Sequence, residues 1–106
     1  MVLTDNETIL MKVPAETMFF SLFRFARYTL MLTDKRILLK NVFGMGREYN
    51  LQEIESVELY KVSLVLPFGL RFRLRNGEKL ELAVFRNEAF ADELLRIRPQ
   101  ITRLSS

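Results

Sequence analysis

The sequence predicts a small, mainly β domain closed by one C-terminal helix, α+β by content. Three observations predict it. Short runs of alternating apolar residues recur along the 106 residues. All three prolines (14, 67 and 99) and all four glycines (44, 46, 69 and 77) fall between those runs or at their ends. An apolar stripe at helical spacing closes the chain. With 49% apolar and 27% charged residues, residues 1–106 form a single domain with its own core, about 7–98, and a tail, 99–106.

Thr8 to Lys12 reads as a strand stopped by Pro14. Residues 27–33 and 36–40 read as a hairpin about Asp34-Lys35, pairing Leu32 with Ile37, Leu30 with Leu39 and, on the other face, Met31 with Leu38. Both faces are apolar, so both are expected to be covered. Val42 to Gly46 is a loop with two glycines, Arg47 to Leu51 a short strand, and Ser56 to Val62 an alternating one.

In the second hairpin a two-residue Asn76-Gly77 loop would set Phe72 against Glu81 and mix the faces. A three-residue loop, Arg75-Asn76-Gly77, pairs Leu70 with Leu82, Phe72 with Leu80 and Arg71 with Glu81, and requires Gly77 in the left-handed region. Arg71, Arg73, Lys79 and Glu81 then share the solvent face. The helix is predicted from Asn87 as N-cap, with Phe90, Leu94 and Ile97 at i, i+4 and i+7 and Pro99 as its stop. Residues 100–106 read as a frayed tail. Seven strands followed by a helix fit a helix-capped barrel or an α+β sheet.

Composition excludes several function classes. The chain has no Cys and no His, which removes disulfides, thiolate chemistry and His-based dyads. Catalysis would need paired carboxylates or lysine chemistry, and the nearest pairs, Glu53/Glu55 and Asp92/Glu93, suit a solvated turn and a helix exterior. The expectation is a protein that is not an enzyme and takes no cofactor and no metal. No run approaches the roughly 18 apolar residues of a membrane span, and residues 1–7 lack a basic, apolar leader. A cytoplasmic protein, at most peripheral to the membrane, is expected. The net charge of +3 lies in the C-terminal half, where residues 61–106 hold nine basic and five acidic groups against seven and eight before them.

Residues 28–39, Tyr-Thr-Leu-Met-Leu-Thr-Asp-Lys-Arg-Ile-Leu-Leu, resemble the "L-Y-L-T-(D/N)-K-R-L-I-F" strand–turn–strand of GRAM and bacterial pleckstrin-homology-like domains. Glu7-Thr8-Ile9-Leu10 resembles the opening "G-E-x-I-L" strand of that family, and Leu51 to Val57 its "I-P-L-x-D-I-x-S-V" segment. The closing hairpin and helix are similar as well, so the likeness spans about residues 7–98. It implies a seven-stranded, partly open barrel of two antiparallel sheets with a capping helix, and a binding module rather than an enzyme, often on lipids or other proteins. The family's phosphoinositide signature, Lys followed after a gap by basic-x-Arg, is not matched: Arg24 and Arg27, which follow Lys12, are separated by two residues.

The implied fold gathers residues 13–26, 41–47 and 75–78 at one rim, with Lys12, Arg24, Arg27, Arg47, Arg75 and Lys79 on or beside it. Six cations there could hold a lipid headgroup or an anionic membrane surface, unless Glu16, Glu48 and Glu78 neutralise them. Residues 18–25 hold four phenylalanines. If Pro14-Ala15-Glu16 opens a helix, Met18, Phe19, Leu22, Phe23 and Ala26 share one face. Burial, an oligomer contact and membrane insertion are all open for it. Phe19, Phe20 and Phe23, with Phe68 in the second apolar loop 64–68, are the candidate membrane or partner contacts. A protein partner or homo-oligomer through these loops is the alternative to a lipid surface. Nucleic acid is disfavoured, because Phe72 points away from Arg71 and Arg73 and Glu81 lies across from Arg71.

Overall fold

The computed structural model describes residues 6–18, 25–41, 43–44, 46–61 and 68–105, with the backbone alone at 17–18, 25–27 and 105. Eight strands and one α-helix follow in the order β1 (Ile9–Met18), β2 (Phe25–Thr33), β3 (Arg36–Lys40), β4 (Gly46–Asn50), a 3-10 turn (Leu51–Glu53), β5 (Ile54–Tyr60), β6 (Gly69–Leu74), β7 (Lys79–Ala83), α1 (Asn87–Ile97) and β8 (Thr102–Ser105). The fold is mainly β. Hydrogen bonds join all eight strands in the order β4-β3-β2-β1-β7-β6-β5-β8. Every neighbouring pair is antiparallel except β5–β8, and among the described residues β1 pairs with β7 at Glu16, opposite Ala83.

Both hairpin registers follow the reading of the sequence. Leu32 lies opposite Ile37, Leu30 opposite Leu39 and Met31 opposite Leu38. Met31 and Leu38 are buried although they lie on the face away from the main core cluster. In the second hairpin Leu70 faces Leu82, Phe72 faces Leu80 and Arg71 faces Glu81. The Gly77 N–H donates to the Leu74 carbonyl at 3.0 Å with Gly77 at φ +92°, the left-handed residue this turn needs.

Four expectations are corrected. The first strand does not stop at Pro14 but runs to Met18, with Pro14 opposite Thr29. Proline is tolerated in a strand where the ladder does not need its missing N–H, and among the described residues β7 pairs with β1 at Glu16 and not at Pro14. This also removes the helix proposed to open at Pro14-Ala15-Glu16: Met18 and Ala26 lie in strands. The tail is not frayed, because Ile101 is 4% exposed and anchors β8 against β5. The helix starts one residue earlier than predicted, with Arg86 rather than Asn87 as N-cap. The Asn87 side chain instead donates to the Gly69 carbonyl at 3.1 Å, tying the first helical residue to β6.

The inward faces of β1–β4 and of β5–β7 share one apolar core with Phe90, Ala91 and Leu94 of α1. Phe90 meets Phe72 edge to face, with ring centroids 6.1 Å apart. Ile54 and Val57 are three residues apart yet both belong to this core. A regular strand would put them on opposite faces; the register shift between Ile54 and Ser56 restores both to the inside.

The start of the chain is pinned to the first hairpin turn. Arg36 donates to Glu7 through Nε at 2.8 Å and Nη2 at 2.9 Å, and the Thr33 hydroxyl donates to the same carboxylate at 2.7 Å. The Glu7 side chain is wholly buried and Arg36 nearly so. Thr8 and Asp34 exchange two further bonds, Thr8 N–H to Asp34 Oδ1 at 3.0 Å and Asp34 N–H to the Thr8 carbonyl at 3.1 Å. Removing one member of such a pair leaves a buried charge unmet, at about 3–5 kcal/mol. Arg36→Met is expected to lose that amount in urea unfolding, and the double change Glu7→Gln with Arg36→Met to lose clearly less than the two single losses added together.

Two glycines give a second test. A Cβ at Gly46 would lie 1.6 Å from the Leu39 carbonyl oxygen, whereas one at Gly77 meets nothing within 4 Å. Gly46→Ala should cost at least about 3 kcal/mol, the upper end of overpacking. Gly77→Ala should cost about 1–2 kcal/mol, from its backbone angle alone. Unfolding midpoints of the two variants check the order.

Candidate functional site

The turn between β3 and β4 is built by three local devices. The Asn41 side chain accepts from the Phe43 N–H at 2.9 Å, the Asn41 carbonyl accepts from the Gly44 N–H at 3.0 Å, and Gly44 takes φ +76°. Gly46 then lets β4 approach β3 more closely than any side chain would allow. The result holds Phe43 out at the tip, 82% exposed. The segment 40–47 carries Lys40 and Arg47, no acidic residue, and the apolar Val42, Phe43 and Met45.

Arg47 is exposed on β4. Its guanidinium is stabilised first by a hydrogen bond with Tyr49, and the charge of Glu78 adds to this. Glu78 lies in the turn between β6 and β7, so the two turns belong to one neighbourhood. Arg75 and Lys79 flank Glu78 and are exposed. Arg75 is partly committed: Nε donates to the Gln52 carbonyl at 2.8 Å and its N–H to the Glu53 carbonyl at 2.9 Å.

The structure therefore brings Arg47, Arg75 and Lys79 around two neighbouring turns. Lys12 is exposed but sits within β1 opposite Met31, on the face away from the main core cluster, and does not join them through any contact among the described residues. Arg24, Phe19, Phe20 and Phe23 lie outside the described residues, and Arg27 is placed by its backbone alone, opposite Glu16. Of the phenylalanines named as contacts, Phe68 is described: it is half-buried, and its ring lies 4.9 Å from that of Phe85.

The outer face of β5–β7 is less solvated than alternation suggested. Glu58 is 8% exposed. It accepts from Arg71 Nη1 at 2.8 Å, and Glu81 accepts from Arg71 Nη2 at 3.1 Å. The Arg71 guanidinium also lies 4.2 Å from the centre of the Tyr60 ring. Burial works against the Arg71 charge, but the hydrogen bonds to Glu58 and Glu81 prevail and raise its pKa. Burial likewise pushes the Tyr60 hydroxyl up. Arg71 is thus neutralised within the fold.

Two exposed aromatics were missed by the sequence reading. Phe85 is 75% exposed. Leu80, Leu82 and Val84 are buried in alternation, so residue 85 falls on the outward phase, a signal that was present. Phe43 had its signal in Asn41 and the two glycines around it. Phe85 and Phe68, with Tyr60, Lys61, Arg71 and Glu88, line an open cleft of about 910 Å³ where β5 ends and α1 begins. Among the described residues no group of three or more His, Cys, Asp or Glu is placed to hold a metal, and no helix is long and apolar enough to cross a membrane.

No protein-family model matches the chain, and no curated protein sequence matches it. Among solved structures it is similar to the C-terminal domain of an unknown protein from Leishmania infantum. The two share 12% identity and superpose with a TM-score of 0.73, over 86% of this chain and 84% of that one. At that identity the likeness is one of fold alone.

Proposed function

We propose that the chain is a non-enzymatic, pleckstrin-homology- or GRAM-like binding module that docks peripherally on an anionic membrane surface from the cytoplasmic side. In this reading the eight strands form a partly open barrel whose two halves meet at the β1–β7 seam and are capped by α1. The single core shared by both halves and the helix supports it. The motif likeness of residues 28–39 supports it as well.

The observation that carries the surface reading is Phe43. A large apolar ring stands exposed at the tip of a turn that carries two basic residues and no acidic one. Docking proceeds in two steps. Arg47, Arg75 and Lys79 draw the domain to negative headgroups, each cation contributing about 1 kcal/mol near the surface. Phe43 then leaves water for the headgroup–acyl boundary, a transfer that contributes about 1.5–3 kcal/mol for a fully buried ring. Because the first step is electrostatic and exposed, salt screens it.

Vesicle flotation tests the reading. The protein should float with vesicles of phosphatidylcholine and phosphatidylserine but not with phosphatidylcholine alone, and less at 0.5 M salt than at low salt. Phe43→Ser should lower the partition coefficient by about 10- to 100-fold while moving the unfolding free energy by no more than about 0.5 kcal/mol. Arg47→Ala should lower it about fivefold. Flotation of Phe43→Ser equal to that of the wild type would refute the role given to this turn.

A further inference from the structure

The Phe68–Phe85 cleft lies apart from the β3–β4 turn in the fold and has a different chemistry. Its two rings cover each other on one side only: their centroids are 4.9 Å apart at an interplanar angle of 51°, and Phe85 keeps 75% of its surface in water. Its wall is rigid. Arg71 is clamped between Glu58, Glu81 and the Tyr60 ring, and Asn87 ties the start of α1 to Gly69. Its rim carries charges of both signs. Lys61 and Glu88 both line it, and neither forms an ion pair among the described residues.

We propose that this cleft is the contact between two copies of this chain, related by a two-fold axis. The argument is charge self-complementarity. A two-fold contact uses the same patch twice, so a patch must complement itself. Here the two-fold sets Lys61 of one copy opposite Glu88 of the other, twice over, while each Phe85 enters the cleft of its counterpart. An anionic lipid surface gains little from this patch, because Glu88 offsets Lys61 on the rim and Glu58 and Glu81 already pair with Arg71; nucleic acid is disfavoured for the same reason. An interface of ordinary size takes about 800 Å² from each partner, a modest share of the 7006 Å² that the chain exposes. The exposed Phe85 ring beside the half-buried Phe68 supplies the central apolar anchor that such interfaces need.

The test is sedimentation equilibrium over a concentration series of the whole chain. The wild type should be dimeric at micromolar concentration. Phe85→Ser, at an exposed position, should raise the dimer dissociation constant about tenfold or more. Lys61→Glu and Glu88→Lys should each weaken the dimer, and the double charge swap should restore it to within about threefold of the wild type, because both cross-contacts re-form with reversed sign. The swap keeps the proposal testable should Phe85→Ser prove unstable. A wild type that is monomeric up to about 1 mM overturns the proposal. So does a dimer indifferent to Phe85→Ser and to both charge reversals, which would place the contact elsewhere. Phe43→Ser should leave the dimer unchanged, so failure here and failure of the membrane reading give different results.

Discussion

A buried carboxylate holds this domain's first strand in place. Glu7 receives two hydrogen bonds from Arg36 and one from Thr33, out of contact with water. Arg36 also reaches Glu48 at 2.6 Å, so one guanidinium joins the entry to β1, the β2–β3 turn and β4. Taking an ion pair out of water brings little net stability; its consequence is positional. With residues 7 and 8 fixed against residues 33–36, the bulge between Ile9 and Met11 can turn Val13 and Ala15 inward. β1 and the three strands that follow it, β2–β4, then share one inward face. The residues that carry the family likeness, Glu7-Thr8 and Thr33-Asp34-Lys35-Arg36, are therefore the ones that meet each other. They build the frame.

Both candidate surfaces are consequences of that frame. β3 and β4 are joined by a turn in which Asn41 bonds the Phe43 and Gly44 amides, and Phe43 stands exposed there. β7 delivers Leu80, Leu82 and Val84 to the core and hands over to α1 at Phe85, on the opposite phase. The β6 arginines add to the positive count, but Glu58 and Glu81 pair with the Arg71 guanidinium and the Tyr60 ring packs on it within the sheet. Charge count was a poor guide to free charge here, and local pairing a better one.

Much of the fold was legible because its information is local. The two hairpin registers follow from alternation and turn length over about a dozen residues each, and α1 from a stripe of three apolar positions. What was not legible depends on distant partners. β8 pairs in parallel across the intervening helix, and Thr-Arg-Leu-Ser has no apolar alternation to announce it. The continuation of β1 through Pro14 depends on β2, whose Thr29 lies opposite it. The burial of Glu58 depends on Arg71 arriving from the next strand. Of the six predicted cations, Arg47 comes under the influence of Glu78, beside Arg75 and Lys79, a long-range neighbourhood no short stretch of sequence reports.

The most direct test of the account is whether the β3–β4 tip enters a lipid surface. Line broadening of the Gly44 amide by a spin-labelled lipid can be measured by NMR in anionic bicelles, with the Glu88 amide at the start of α1 as reference. The account predicts strong broadening at Gly44 and little at Glu88, with Gly44 recovering as salt is raised. Equal broadening at both amides, or none at Gly44, would contradict it.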